Sequence, residues 1–110
     1  MSKHNHIQLY IYETGINKDD VRYELAYRYG EGARRVKKNV NTFNTYFKNI
    51  DVKNHKEASF YKATCHLEGK NGMKIDDNKA LKFFKIAKNL GHTKTEDHIK
   101  KIELKLLNQK

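Results

Sequence analysis

Apolar residues recur along this chain at helical spacing, and glycines mark where the runs stop. The clearest run is Asn78 to Leu90. There Ala80, Phe83, Phe84 and Ala87 fall at i, i+3, i+4 and i+7, giving one apolar stripe with lysines on the rest of the surface. Asp76 and Asp77 stand before it, where carboxylates cap free amides and complement the helix dipole. Gly91 follows, in the place of a C-terminal stop. The same spacing predicts a helix from about Asp19 to Tyr29, opened by acids and closed by Gly30 and Gly32. Tyr23, Ala26 and Tyr27 share one side of it, joined by Leu25 and Tyr29. A helix from about Asn39 to Ile50 carries Phe43, Tyr46, Phe47 and Ile50. Another, Lys56 to Glu68, turns Ala58, Tyr61 and Cys65 inward, with Phe60 and Ala63. Thr95 to Leu107 offers Ile99, Ile102, Leu106 and Leu107 to a core. Only His6 to Glu13 reads two ways, since Ile7, Leu9 and Ile11 alternate like a strand while Ile7, Tyr10 and Ile11 suit a helix face. With no proline to break helices, the pattern predicts an all-α chain.

Length and charge narrow this. A chain of 110 residues allows one domain with a thin core. No apolar run approaches the roughly 20 residues of a membrane span, and the opening MSKHNHIQ lacks the apolar region of a secretory signal. The one cysteine, Cys65, excludes an internal disulfide framework and a multi-cysteine zinc site. These features favour a soluble, cytoplasmic protein without a membrane partner. Lys and Arg number 23 against 13 Asp and Glu, a formal charge of +10 that brings nucleic acid forward as a partner. The densest cluster is Arg34, Arg35, Lys37 and Lys38. Lys79, Lys82, Lys85 and Lys88 step by three, about 300° each, and so spiral round a helix as a solvated surface does.

The chain also repeats. Shifted by 37 residues, so that Val21 falls on Ala58, it sets Tyr23 on Phe60, Gly32 on Gly69, Val36 on Met73 and Phe43 on Ala80. Tyr46, Phe47, Ile50 and His55 then fall on Phe83, Phe84, Ala87 and His92. Glu31 and Glu68, Lys37 and Lys74, Asn41 and Asn78, and Lys48 and Lys85 are identical across the shift. Each unit reads as helix, glycine-containing loop, helix. The run Val21-Arg22-Tyr23-Glu24-Leu25-Ala26-Tyr27-Arg28-Tyr29-Gly30-Glu31-Gly32 resembles the first helix of the Sel-one-like repeats, relatives of the tetratricopeptide repeats. Asp77, Lys79-Ala80, Phe83-Phe84, Ala87 and Gly91-His92 resemble that family's second helix. The chain departs from the pattern in places: Phe43 replaces an alanine and Asn54 a glycine in the first copy, and Lys62 a leucine in the second. The resemblance covers Val21 to His92 and implies a short α-solenoid of antiparallel helix pairs. Its repeats would be 21–57 and 58–94, with a capping helix at 95–107, within a domain 19–110 preceded by a separate segment 1–18. Two repeats are the lower limit of such a stack, so self-association or docking onto a partner would add core area.

Candidate chemistry is sparse. His4 and His6 near the terminus make a poor metal grip. Cys65 and His66, adjacent on a helix, point about 100° apart and do not make a nucleophile and base. Asp76 and Asp77 read as caps. No phosphate loop, nucleophile elbow or HExxH motif occurs, so neither a cofactor nor an enzymatic activity is expected. Tyrosine and arginine anchor protein interfaces, and first helices line the concave face of helical solenoids. A partner-binding face is therefore expected at Tyr23, Tyr27 and Arg28, with Tyr61 and Lys62 from the second copy. The resemblance implies a non-catalytic module, an adaptor, effector or immunity-type inhibitor. The chain's basic charge, in turn, calls for a protein partner with an acidic surface, since complementary charge steers encounter. The alternative is a basic nucleic-acid-binding protein using Arg34, Arg35, Lys37 and Lys38.

Overall fold

A computed structural model describes residues 17–109 as five α-helices and one 3₁₀ turn, with no strand among the described residues. They are α1 (Lys18–Glu31), α2 (Val40–Phe47), the 3₁₀ turn Val52–Asn54, α3 (Lys56–Glu68), α4 (Asp77–Asn89) and α5 (Glu96–Asn108). The ambiguous segment His6 to Glu13 lies outside the described residues. The chain divides into two compact units between Ile50 and Asp51. In the first, α1 packs against α2; in the second, α3 packs against α4 and α4 against α5.

The local reasons for the helices are visible in their ends. Asn39 Oδ1 accepts from the Thr42 amide at 3.0 Å and Asp76 Oδ1 from the Lys79 amide at 3.0 Å, so equivalent positions cap α2 and α4. At α3 the cap is a histidine: His55 Nδ1 accepts from the Ala58 amide at 3.0 Å. Helices α1 and α3 end on Gly32 and Gly69, both left-handed at φ 70° and 71°. In each, two amides converge on one carbonyl, from Gly32 and Ala33 to Arg28 O and from Gly69 and Lys70 to Cys65 O. Each connection is closed by an amide reaching back, Asn39 to Tyr29 O and Asp76 to His66 O, both at 2.9 Å. The 37-residue shift in the sequence is thus also a shift in backbone conformation.

The second unit is built round Phe84, which is fully buried with Ala63, Ala80, Ile99 and Ile102, while Phe60, Leu81, Ile86 and Leu106 pack at its margin. The Phe84 ring lies parallel to the His98 imidazole at 4.8 Å and meets Phe60 edge-on at 5.3 Å. Phe60 in turn stacks on His92 at 4.0 Å. Lys85–Glu103, Lys88–Glu96 and Lys105–Asp77 lace α4 to α5 at 3.4, 2.7 and 3.0 Å. A hydrogen bond from Lys88, with its charge, holds the Glu96 carboxyl below the ordinary carboxylate range. A depressed carboxyl adds its contact above that range and loses it as acid protonates the group. In the first unit Ala26, Phe43, Phe47 and Ile50 are buried, with the Phe43 and Phe47 rings 4.9 Å apart. Phe43 therefore occupies a fully enclosed site where the second copy has Ala80; Gly30, buried in α1, stands where the second copy has Leu67.

Two expectations need correction. Helix α2 stops at Phe47, not Ile50, and Ile50 reaches the core from a turn in which its amide donates to Phe47 O at 3.1 Å. On α5, Ile99 and Ile102 are buried and Leu106 is half-buried, but Leu107 is 64% exposed. Leu107 stands 100° from Leu106 round the helix, and that step carries it off the face that meets α4. Replacing Phe84 by Ala should cost about 3–5 kcal/mol, whereas Leu107→Ala should stay within about 0.5 kcal/mol. Urea midpoints followed by helical circular dichroism check this, and equal losses would mean that the core is misassigned.

Candidate interaction surfaces

The expected site residues separate into three groups. Tyr23, Tyr27 and Arg28 occupy α1. The rings of Tyr23 and Tyr27 are 6.0 Å apart and tilted, and Tyr27 is 41% exposed. Arg28 Nη2 donates to Glu24 Oε1 at 3.0 Å, and Arg34 Nε approaches the same oxygen at 3.8 Å. The Nε–H of Arg28 is buried, without a hydrogen-bond partner among the described residues. One carboxylate on α1 thus gathers two guanidinium groups beside an exposed tyrosine.

Arg34, Arg35, Lys37 and Lys38 lie exposed on the α1–α2 loop. Arg34 and Arg35 hold φ at 55° and 69°, a left-handed conformation that costs a residue with a Cβ about 1–2 kcal/mol. The equivalent positions in the α3–α4 loop are Asn71 and Gly72, at 55° and 79°, residues suited to that conformation. The first loop makes with two arginines a turn that the second makes with the residues that turn favours. Arg35, Lys37 and Lys38 form no ion pair among the described residues.

Tyr61 and Lys62 sit on α3, in the second unit. Tyr61 is buried, and its hydroxyl accepts from Asn71 Nδ2 at 2.9 Å, which ties the loop to the helix. Asn71 Nδ2 also lies 3.5 Å from Cys65 Sγ. Tyr61 is therefore occupied as a loop anchor and contributes little surface. Lys62 is partly buried, its ammonium 4.6 Å from the centre of the Phe83 ring. The Lys82 ammonium is 5.5 Å from the same centre. His66 lies near-parallel to that ring at 6.1 Å, matching Tyr29 and Tyr46 in the first unit, which stack at 6.3 Å. Burial, and then the charges of Lys79 and Lys82, push the Lys62 amine below the ordinary lysine value.

Lys62 is one of the expected partner-face residues, whereas Lys79 and Lys82 read in the sequence as part of a solvated spiral, because a single helix gives no sign of what the next helix brings alongside. The available signal was Lys62 itself, a cation between the inward positions Tyr61 and Ala63. His4 and His6 lie outside the described residues, among which no group of three or more His, Cys, Asp or Glu is placed to hold a metal ion. Cys65 is buried and forms no disulfide among the described residues. Shallow depressions of about 230 and 450 Å³ flank the α4–α5 turn; in the smaller, His92 Nε2 faces Glu57 Oε2 at 3.5 Å. Compared with family models, curated proteins and solved structures, the chain matches none of them.

Substituting Arg34→Asn and Arg35→Gly together should raise stability by about 1–2 kcal/mol, because the loop then carries the residues its backbone favours. A urea midpoint that falls would show that the arginines hold the loop by contacts outweighing the backbone cost.

Proposed function

We propose that this chain is a non-catalytic protein–protein interaction module of Sel-one-like character, an adaptor or inhibitor that holds an acidic partner on its helical surface. The observation that carries the reading is the geometric repeat. Two helix pairs share caps, left-handed loop residues, reach-back bonds and buried positions at one 37-residue spacing. Such units are scaffolding whose side chains are used to hold helices together, and repeat proteins act through the surfaces they present. Helix α5 serves as the capping helix of the second pair. The chemistry available at the surface is cationic and aromatic, as at Tyr23, Tyr27 and Arg28, which suits recognition and steering more than turnover. The cytoplasm, where Cys65 stays reduced, is the compartment this reading implies.

A second reading rests on the exposed cations of the α1–α2 loop, two of them in left-handed backbone. Arg34, Arg35, Lys37 and Lys38 would grip phosphates, and binding would then fall steeply with salt. Affinity capture from the source cells, with nuclease, at physiological salt, separates the two. The interaction reading expects a discrete protein that survives digestion. Against that partner, Tyr27→Ala and Arg28→Gln should each raise Kd at least tenfold, about 1.4 kcal/mol, with helix content unchanged. Recovery of nucleic acid alone would remove the interaction reading.

A further inference from the structure

Two ammonium groups meet at one ring of the second unit, with a third on the same helix as one of them, and none has an acid to balance it among the described residues. Lys62 projects from α3, and Lys79 and Lys82 stand three residues apart on α4. Lys62 and Lys82 both approach the Phe83 ring, at 4.6 and 5.5 Å, and Lys62 experiences the charges of both Lys79 and Lys82. Of the other lysines in this unit, Lys70, Lys85, Lys88 and Lys105 find a carboxylate within 2.7 to 3.8 Å, and the rest form no ion pair among the described residues but touch no shared ring. None of Lys62, Lys79 and Lys82 pairs with a carboxylate among the described residues. Like charges held together destabilise a surface, and here one of them is also partly desolvated. An anion placed among them would relieve both penalties at once.

We propose that Lys62 and Lys82 at the Phe83 ring, with Lys79 three residues before Lys82 on α4, form a docking site for an acidic segment of the partner protein, one presenting two or three carboxylates on adjacent turns. This rests on the interaction reading above and specifies its chemistry. Lysine offers point charges rather than the planar fork of arginine, so it accepts carboxylates at varied angles. A protein segment fits better than single-stranded nucleic acid, since sequence-tolerant strand binding uses exposed rings on which bases stack. The Phe83 ring is buried and shared between His66 and the two lysines, so it offers no such platform. The cation–π contacts hold Lys62 and Lys82 in place before the partner arrives.

The test uses a deca-glutamate peptide and, separately, a ten-nucleotide oligothymidylate, each titrated against the full chain in about 50 mM salt, conditions that leave charge contacts little screened. Reaction of individual lysines with an amine-acylating reagent is read by mass spectrometry. The expected result is selective protection of Lys62, Lys79 and Lys82 by the peptide. The Lys79→Gln/Lys82→Gln variant should bind the peptide about tenfold more weakly. A loop variant of equal charge change, Lys37→Gln/Lys38→Gln, should bind it as the parent does. Adding Lys62→Gln should weaken binding further; if that variant loses helix, the double variant decides alone. Equal losses in the triad and loop variants would overturn the proposal, reducing the effect to net charge. Tighter binding of the oligonucleotide, with the same lysines protected, would overturn it in favour of phosphate. No binding of either probe would overturn the triad as an anion site while leaving the α1 face and the interaction reading standing, because those are tested on the captured partner.

Discussion

Everything in both units depends on how the first helix of each pair ends. Gly32 and Gly69 turn the chain left-handed, two amides converge on one carbonyl, and seven residues after each glycine an amide returns to the end of the helix it left. That return fixes where the second helix begins, and so which of its faces meets the first. At Gly69 the constraint is also one of space: a Cβ there would lie 3.0 Å from Ile75 Cγ1, on a backbone at φ 71° that side chains adopt at a cost. The small buried residues Ala26, Ala63 and Ala80 meet their neighbours only because the loops deliver the helices at the right register.

The fold was largely legible for a physical reason. Helical periodicity, acidic or amide caps and terminal glycines all act within a few residues, and the five helices sit within a few residues of their expected bounds. Lys56–Glu68 falls where the spacing placed it, and Asp76 caps α4 as its position implied. The misses fall where the third dimension decides. Leu107 satisfies the spacing but not the direction in which α4 lies, and α2 ends early while Ile50 still reaches the core from a turn. His98, given no role by its sequence position, stacks on the central Phe84. The surface was less legible still. Tyr61 looked like interface material and is a loop anchor, whereas the meeting of Lys62 with Lys79 and Lys82 needs two helices to be seen.

Comparing the copies also separates what the turn requires from what it tolerates. Asn71-Gly72 and Arg34-Arg35 hold the same backbone course, so the left-handed turn is dictated by the helix pair and not by the residues within it. Arginine there is tolerated at a local cost, and the cations it displays are set on a framework that does not need them. This is the arrangement in which local rules and global fold disagree, and such sites are where surface chemistry outweighs backbone preference.

The Tyr61 clamp on Asn71 has a further consequence, for chemical ageing. Asparagine followed by glycine is the dipeptide in which the next backbone nitrogen most readily attacks the side-chain carbonyl, expelling ammonia and closing a cyclic imide that water then opens to an acid. Here the Asn71 side chain is enclosed, its Nδ2 held by the tyrosine hydroxyl, and its backbone locked in the left-handed turn. Cyclisation therefore waits on opening of the loop, and the age of a molecule is recorded at the rate at which this one turn unlatches.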